Sequence, residues 1–184
     1  VAGAAMFAAF PDWDATWFSA LSLALVLVLV ALILRGVSFE FRGKSGSPRW
    51  RGTWSAALTV GSVLAPLLIG VGLGDLLVGL PVDADMQFTG SFVDLLTPYG
   101  LLFGVTLLVL CLLHGATFLA LKTGDPVRFR AQAFARWLRW AGVVVVLASA
   151  AWTYQLSGRG ALSVVLGLLA VLGSIAAVLL ISGS

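Results

Sequence analysis

Charged residues are scarce in this sequence. Only 10% of its 184 residues are Asp, Glu, Lys or Arg and 60% are hydrophobic, whereas soluble domains carry about 25% charged residues. A water-soluble globular fold is therefore excluded. The net charge of +3 would suit nucleic acid, but the basic residues form two blocks between apolar runs, and this placement favours anionic lipid headgroups. We expect no nucleic-acid partner.

Reactive and metal-binding side chains are also few. The single cysteine, Cys111, excludes an intrachain disulfide and lies in an apolar run, where we expect a small buried hydrophobe. The single histidine, His114, is the one strong haem-ligand type within such a run. Because no second ligand or carboxylate lies near it in sequence, we interpret His114 as a buried, hydrogen-bonded polar residue. We expect no catalytic residue, no bound cofactor and no metal site in this chain.

Acidic residues are absent from the interiors of the apolar runs. All eight acids are predicted to lie in connecting segments or at the ends of runs, whereas coupled transporters usually carry carboxylates inside their membrane spans. This absence argues against a self-contained transporter and indicates a helical partner of another protein. A small-solute transporter fragment or a membrane scaffold protein remains the alternative.

Long apolar runs are what the sequence does contain. A run of about 20 residues, at 1.5 Å rise per residue, covers the roughly 30 Å hydrocarbon core of a bilayer. The pattern predicts an all-α, polytopic transmembrane helical bundle with five full spans plus a truncated N-terminal one, in one domain over residues 1–184 of a longer chain. The predicted full spans are residues 15–34, 53–74, 97–121, 140–157 and 161–182, and residues 1–11 are the truncated one.

The connecting segments alternate in sign. Arg35–Trp54 and Lys122–Arg139 hold ten of the eleven Lys and Arg residues, whereas residues 75–96 are acidic. Cytoplasmic loops collect Lys and Arg, so the two basic segments are predicted to be cytoplasmic loops. Arg136 and Arg139 are expected on the first turns of the following helix. Small residues four apart, Gly70 with Gly74 and Gly100 with Gly104, either mark helix interfaces or are chance spacings.

Two residues of the first basic segment are candidates for proton transfer. Arg35 ends an apolar run of twenty residues, and its guanidinium is always charged. It either anchors the helix at the membrane boundary or holds an acid at the mouth of a water-filled path. Glu40, the only acid of that segment, either pairs with Arg42 or Lys44 or collects protons.

Four motifs then carry a family resemblance. RGVSFEFRGK followed by RWRGTW, GVGLGDLLVGLP, TGSFVDLLTPYGLLFG and HGATFLALKTGDPVRFRA occur in this order, and residues 1 to about 157 resemble subunit II of cytochrome bd quinol oxidases. Three positions depart from the pattern of that family. Gly36 replaces the usual Pro, Leu73 the usual Phe and Asp75 the usual Asn.

The resemblance implies a subunit of a quinol oxidase in a bacterial cell membrane, which oxidises quinol, reduces dioxygen to water and is not catalytic alone. It implies that haems b and d lie in a partner, the haem-bearing subunit I, which this subunit supports. Small accessory membrane peptides, membrane lipid and quinone are further expected partners. It also implies a cytoplasmic proton path, in which the arginine of the family matches Arg35. Glu40, the candidate proton collector of the same segment, is assigned to this path as well.

Overall fold

The computed structural model describes residues 2–83 and 88–156. Its helices are α1 (Ala2–Ala9), α2 (Pro11–Phe41), α3 (Pro48–Val78), a short 3₁₀ helix (Phe92–Leu95), α4 (Pro98–Lys122) and α5 (Val127–Leu156). Contacts group the chain into two compact units, Val1–Leu101 and Leu102–Ser184. A single domain over residues 1–184 stays a prediction.

Four of the described helices, α2 to α5, are long and apolar enough to cross a membrane. They cover four of the predicted spans to within one residue at each end. The described part of the chain is therefore helical, and the chain is a multi-pass membrane protein. The fifth predicted span, residues 161–182, lies outside the described residues. Helix α1 has 8 residues, fewer than the roughly 20 that a span requires. Five full spans plus a truncated one are therefore not confirmed.

The helices extend well beyond the apolar runs. Arg35–Trp54 was predicted to be a loop, but α2 continues to Phe41 and α3 begins at Pro48, so only residues 42–47 connect them. The prediction was wrong because charged residues do not end a helix. Glycine and proline do: this connection contains Gly43 and Gly46 and is followed by Pro48 at the first helical position, where its missing N–H costs nothing.

The second basic segment, Lys122–Arg139, was also predicted to be longer than it is. Helix α5 begins at Val127, directly after Gly124, Asp125 and Pro126, so only residues 123–126 connect α4 to α5. Arg136 and Arg139 therefore lie well inside α5 and not on its first turns. The same physical reason applies, because arginine is a good helix former.

Helices α2 and α3 pack closely against each other. Their core contains Val28, Ala31, Ala65 and Leu68. A Cβ built at Gly61 would overlap the Ala31 carbonyl oxygen and would lie 3.3 Å from the Arg35 Cβ. The absence of a side chain at Gly61 therefore lets the two backbones meet, as small residues do between membrane helices.

The two glycine pairs singled out in the sequence lie at buried positions. Gly70, Gly74, Gly100 and Gly104 are all buried. Gly61, which the four-residue spacing did not indicate, also lies in close contact with α2. Spacing alone misses it because the glycine meets a partner backbone that is distant in sequence.

The segment after α3 is folded by local hydrogen bonds. Gly79 has a φ of 97°, a left-handed conformation that glycine adopts readily, and its N–H donates to the Asp75 carbonyl oxygen at 2.9 Å. The Ser91 N–H and Oγ both donate to Asp94 Oδ2, at 2.7 and 2.9 Å. These bonds hold the pKa of Asp94 below its usual range.

Within the second unit, α4 and α5 are joined by a buried polar contact. The hydroxyls of Thr106 and Ser149 lie 2.8 Å apart, and one donates to the other. The accepting hydroxyl can in turn donate to a carbonyl oxygen of its own helix, Leu102 for Thr106 or Val145 for Ser149. About two helical turns from this contact, a Cβ at Gly142 would lie 3.8 Å from Leu113 Cδ2, which is an ordinary van der Waals distance. Hydroxyl pairs of this kind stabilise helix association where water is absent.

The contact at Gly61 leads to a stability prediction. Gly61→Ala should lower the free energy of unfolding by ~1–3 kcal/mol, the usual cost of overpacking a tight interface. The matched control is Gly52→Ala, also on α3, where a Cβ meets nothing within 4 Å and should gain ~0.5–1 kcal/mol from helix propensity. Thermal unfolding in detergent measures both. Equal melting temperatures for the two variants would contradict the packing described.

Candidate functional site

Arg35 lies within α2, where this helix packs against Gly61 of α3. Its guanidinium is exposed, while its backbone N and Cβ each stand 3.3 Å from the position that a Gly61 Cβ would take. Within the described residues no carboxylate lies within 4.0 Å of this guanidinium. The fold therefore fixes the backbone at Arg35 and leaves its charge available to a group outside the described chain.

Glu40 lies one residue before the end of α2. Its Oε1 stands 3.9 Å from Lys44 Nζ, and that ammonium also lies 4.5 Å from the Phe41 ring centroid. Of the two partners predicted for Glu40, Lys44 is the one in place. The Glu40 side chain is 73% exposed, and such exposed pairs contribute only ~0–1 kcal/mol.

The structure does not bring Arg35 and Glu40 together. Five positions along a helix turn the side-chain direction by roughly 140°, so the two side chains leave α2 on different sides. Near Glu40 the end of α2 is held to the start of α3, because Trp50 Nε1 donates to the Phe41 carbonyl oxygen at 2.8 Å. Each of the two residues therefore has its own surroundings.

His114 and Cys111 lie one turn apart on α4, and both are exposed. We had expected the chain to bury both, and the structure corrects that expectation. Cys111 lines the open groove between α4 and α5, and His114 does not line it. Among the described residues, neither side chain is covered by a neighbouring helix. The role of His114 stays a prediction.

A buried carboxylate lies where the sequence predicted an exposed acidic loop. Asp75 is in the last turn of α3 and only 2% exposed. Thr97 Oγ1 donates to Asp75 Oδ1 at 2.9 Å, and the Gly100 N–H donates to Thr97 Oγ1 at 2.9 Å. The other oxygen, Oδ2, is buried without a hydrogen-bond partner. This arrangement can hold or release a proton at Oδ2.

Asp14 is a second buried carboxylate that the sequence reasoning missed. It lies in the first turn of α2, is 6% exposed, and its Oδ1 is buried without a partner. Negative charge is favoured at a helix N-terminus, but an unpaired buried polar atom is costly. Asp14 and Asp75 lie at the ends of predicted apolar runs, where acids were expected, but their burial was not predicted.

One sequence signal could have found Asp75. The residues after it, Leu76 to Leu80, are as apolar as those before it, so Asp75 interrupts an apolar run and does not end it. Its partner could not be found in this way. Thr97 is 22 residues further along the chain, and no local pattern joins the two.

The described residues contain no cluster of metal-ligating side chains. In residues 2–83 and 88–156, no group of three or more His, Cys, Asp and Glu side chains is placed to hold a metal. His114 lies on an exposed face of α4. One His can serve as the axial ligand of a haem, so the location of the haems in another subunit stays a prediction.

Comparison with known proteins decides the family. The profile of the family described as "Cytochrome bd terminal oxidase subunit II" matches residues 1–184. This chain belongs to that family. The match covers the helices with Arg35, Asp75 and His114, and it confirms the resemblance inferred from the four motifs.

Curated members of the family support the assignment. "Cytochrome bd ubiquinol oxidase subunit 2" of Bacillus subtilis (strain 168) is 39% identical over 172 residues, which are 91% of this chain and 51% of that protein. "Cytochrome bd-I ubiquinol oxidase subunit 2" of Escherichia coli (strain K12) is 40% identical over 139 residues, 73% of this chain and 37% of that protein.

A third relative, "Probable cytochrome oxidase subunit 2" of Haemophilus influenzae (strain ATCC 51907 / DSM 11121 / KW20 / Rd), is 38% identical over 161 residues, 85% of this chain and 43% of that protein. The chain thus spans about half, or less, of the length of these relatives. The activity of a whole subunit is therefore a separate question from family membership.

The hydrogen bonds of Thr97 lead to a second stability prediction. Thr97→Val keeps the side-chain volume but leaves Asp75 Oδ1 and the Gly100 N–H without their partner. We expect a loss of ~1–3 kcal/mol in the free energy of unfolding, the cost of an unsatisfied buried polar group. Thr97→Ser, the control, retains the hydroxyl and should lose less. Chemical unfolding in detergent measures the difference, and a Thr97→Val protein as stable as Thr97→Ser would show that these bonds contribute nothing.

Proposed function

We propose that this chain is part of the haem-free subunit II of a cytochrome bd-type quinol:oxygen oxidoreductase. The observation that carries the proposal is the family match over residues 1–184, together with relatives named as ubiquinol oxidase subunits. In this proposal the complex oxidises quinol and reduces dioxygen to water in respiratory electron transport. The haem-bearing subunit I holds haems b and d, and this chain supports it.

The support role rests on the apolar faces of the helices. Leu23, Val26, Leu29 and Ile33 of α2 are each at least half exposed in this chain. Such faces are covered in a membrane by lipid or by another helix. In this proposal, a haem-free subunit with long apolar faces holds the haem-bearing partner in the bilayer.

The proposed location is the bacterial cell membrane, with residues 42–47 and 123–126 on the cytoplasmic side. The support is the charge distribution, because ten of the eleven Lys and Arg residues lie in these two connections or within 13 residues of them. Lys and Arg are retained on the cytoplasmic side during insertion. Accessory membrane peptides and quinone remain expected partners of the complex.

A cytoplasmic proton path past Arg35 is the mechanistic part of the proposal. The Arg35 guanidinium is permanently charged, is exposed, and is carried by a backbone that Gly61 fixes in place. It can therefore position an acid or a water chain from outside the described residues. Glu40 is the proposed proton collector, and its support is its 73% exposure beside Lys44.

Purification tests the assignment. The full protein should be isolated with a haem-bearing membrane partner, and the preparation should show a visible absorption spectrum and consume oxygen with a quinol. A transporter or a scaffold unrelated to respiration, the alternative, should be colourless after the same purification. A colourless, monodisperse protein from cells that make haem would reject the oxidase assignment.

Replacement of Arg35 tests the proton path. In the intact complex Arg35→Ala should slow oxygen reduction about tenfold, equal to ~1.4 kcal/mol of barrier, while the haem spectrum stays unchanged. Arg35→Lys keeps a positive charge and should retain more activity. Arg49→Ala is the matched control, since Arg49 is also exposed in the same basic region and is given no role. Unchanged turnover in Arg35→Ala would leave Arg35 as a membrane anchor.

A further inference from the structure

A groove runs between α4 and α5 in the second unit. Its volume is about 510 Å³, and its walls include the apolar side chains of Leu112, Leu119, Val127 and Phe134. Arg130 is the only charged residue that lines it. The groove is therefore an apolar trough with one positive charge.

Small residues keep the groove open. Gly115, Ala116 and Ala131 line it, and a Cβ at Gly115 would meet nothing within 4 Å. Ala116 and Ala131 are buried at its base, at 6% and 7% exposure. Any longer side chain at Gly115 would project into free space in the trough.

The groove covers most of one leaflet of a bilayer. On α4 it is lined from Cys111 to Leu119. These eight helical steps rise roughly 12 Å, and half of a hydrocarbon core is about 15 Å. A fatty acyl chain in this groove would therefore lie within one leaflet, with its start near the end of α4 at Lys122.

The positive charge of Arg130, at the mouth of the groove, lacks a counter-ion. Among the described residues no carboxylate lies within 4.0 Å of the Arg130 guanidinium. The whole segment 102–184 carries six Lys and Arg against one acid, Asp125, and residues 157–184 contain no acid at all. Residues 157–184 therefore provide no carboxylate side chain that could neutralise Arg130.

We propose that the groove between α4 and α5 binds an anionic phospholipid, with one acyl chain against Leu112 and Phe134 and the headgroup phosphate on Arg130. A positive end joined to an apolar trough that covers most of one leaflet complements a molecule with an anionic headgroup and an acyl chain. A purely apolar occupant would leave the Arg130 charge unpaired. Lys122 lies at the same end and adds positive charge. The inference requires only that the chain lies in a membrane and is independent of the oxidase assignment.

Photo-crosslinking in vesicles tests the site. The intact complex is placed in phosphatidylcholine vesicles that contain a trace of phosphatidylglycerol with a diazirine in its acyl chain, and adducts are mapped by mass spectrometry. Adducts on residues 111–119 and 127–134 should exceed those from a diazirine phosphatidylcholine about fivefold, the ratio that corresponds to the ~1 kcal/mol of one Lys or Arg near an anionic headgroup.

Two variants and one control sharpen the test. Arg130→Ala should reduce phosphatidylglycerol adducts to the phosphatidylcholine level. Gly115→Phe, which fills the trough, should remove adducts of both lipids. Arg128→Ala is the control, since Arg128 lies on the same turn of α5 but does not line the groove and points roughly 160° away from Arg130. It should leave the adducts unchanged. If Gly115→Phe does not fold, the arginine pair carries the test.

Three outcomes would overturn the proposal. The first is equal labelling of the groove by the two lipids. The second is an equal loss of adducts in Arg128→Ala and Arg130→Ala, which would indicate general attraction to a basic surface. The third is an absence of adducts in the groove when the lipid-exposed faces of the other helices are labelled. This result would indicate that polypeptide covers the groove. The experiment measures lipid adducts and not oxygen consumption. A negative result for the lipid site would therefore leave the oxidase assignment untouched.

Discussion

The contact between Gly61 of α3 and the Ala31 backbone of α2 is the constraint on which the first unit depends. In a bilayer the helices gain little from hydrophobic burial against each other, so association requires close packing and hydrogen bonds. The absence of a Cβ at Gly61 allows the two backbones to meet. Arg35 lies one turn from Ala31, so its backbone position follows from that contact.

Polar groups lie at both ends of the α2–α3 pair, in different settings. Arg35 and Glu40 are exposed at the basic end, whereas Asp75 is buried in the last turn of α3 and hydrogen-bonded to Thr97. Gly61 and Asp75 are separated by roughly 21 Å along α3. A cation that reaches outward and a carboxyl that is shielded from water are therefore in different surroundings, and the proposed proton uptake at the basic end would not involve Asp75 by direct contact.

Much of the fold was predictable from the sequence, and part of the site was not. The apolar runs within α2 to α5 and the pairing of Glu40 with Lys44 depend on neighbours along the chain. The helix ends at Phe41 and Val127 were missed, because a helix stops at glycine and proline and not at the first charge. Exposure of His114 and Cys111 was missed, since the face that a helix presents to its neighbour depends on the packing partner.

Sequence alone determined that this chain crosses a membrane several times, because the transfer of an apolar segment into lipid depends on about twenty consecutive residues. Sequence alone also determined which family the chain resembles, because the four motifs are short stretches of consecutive residues. Only the tertiary structure decided that Gly61 makes the close helix contact, that Asp75 is buried against Thr97, and that a groove opens between α4 and α5 beside Arg130. These features join residues many positions apart. Their energies depend on distances that exist only once the helices have packed.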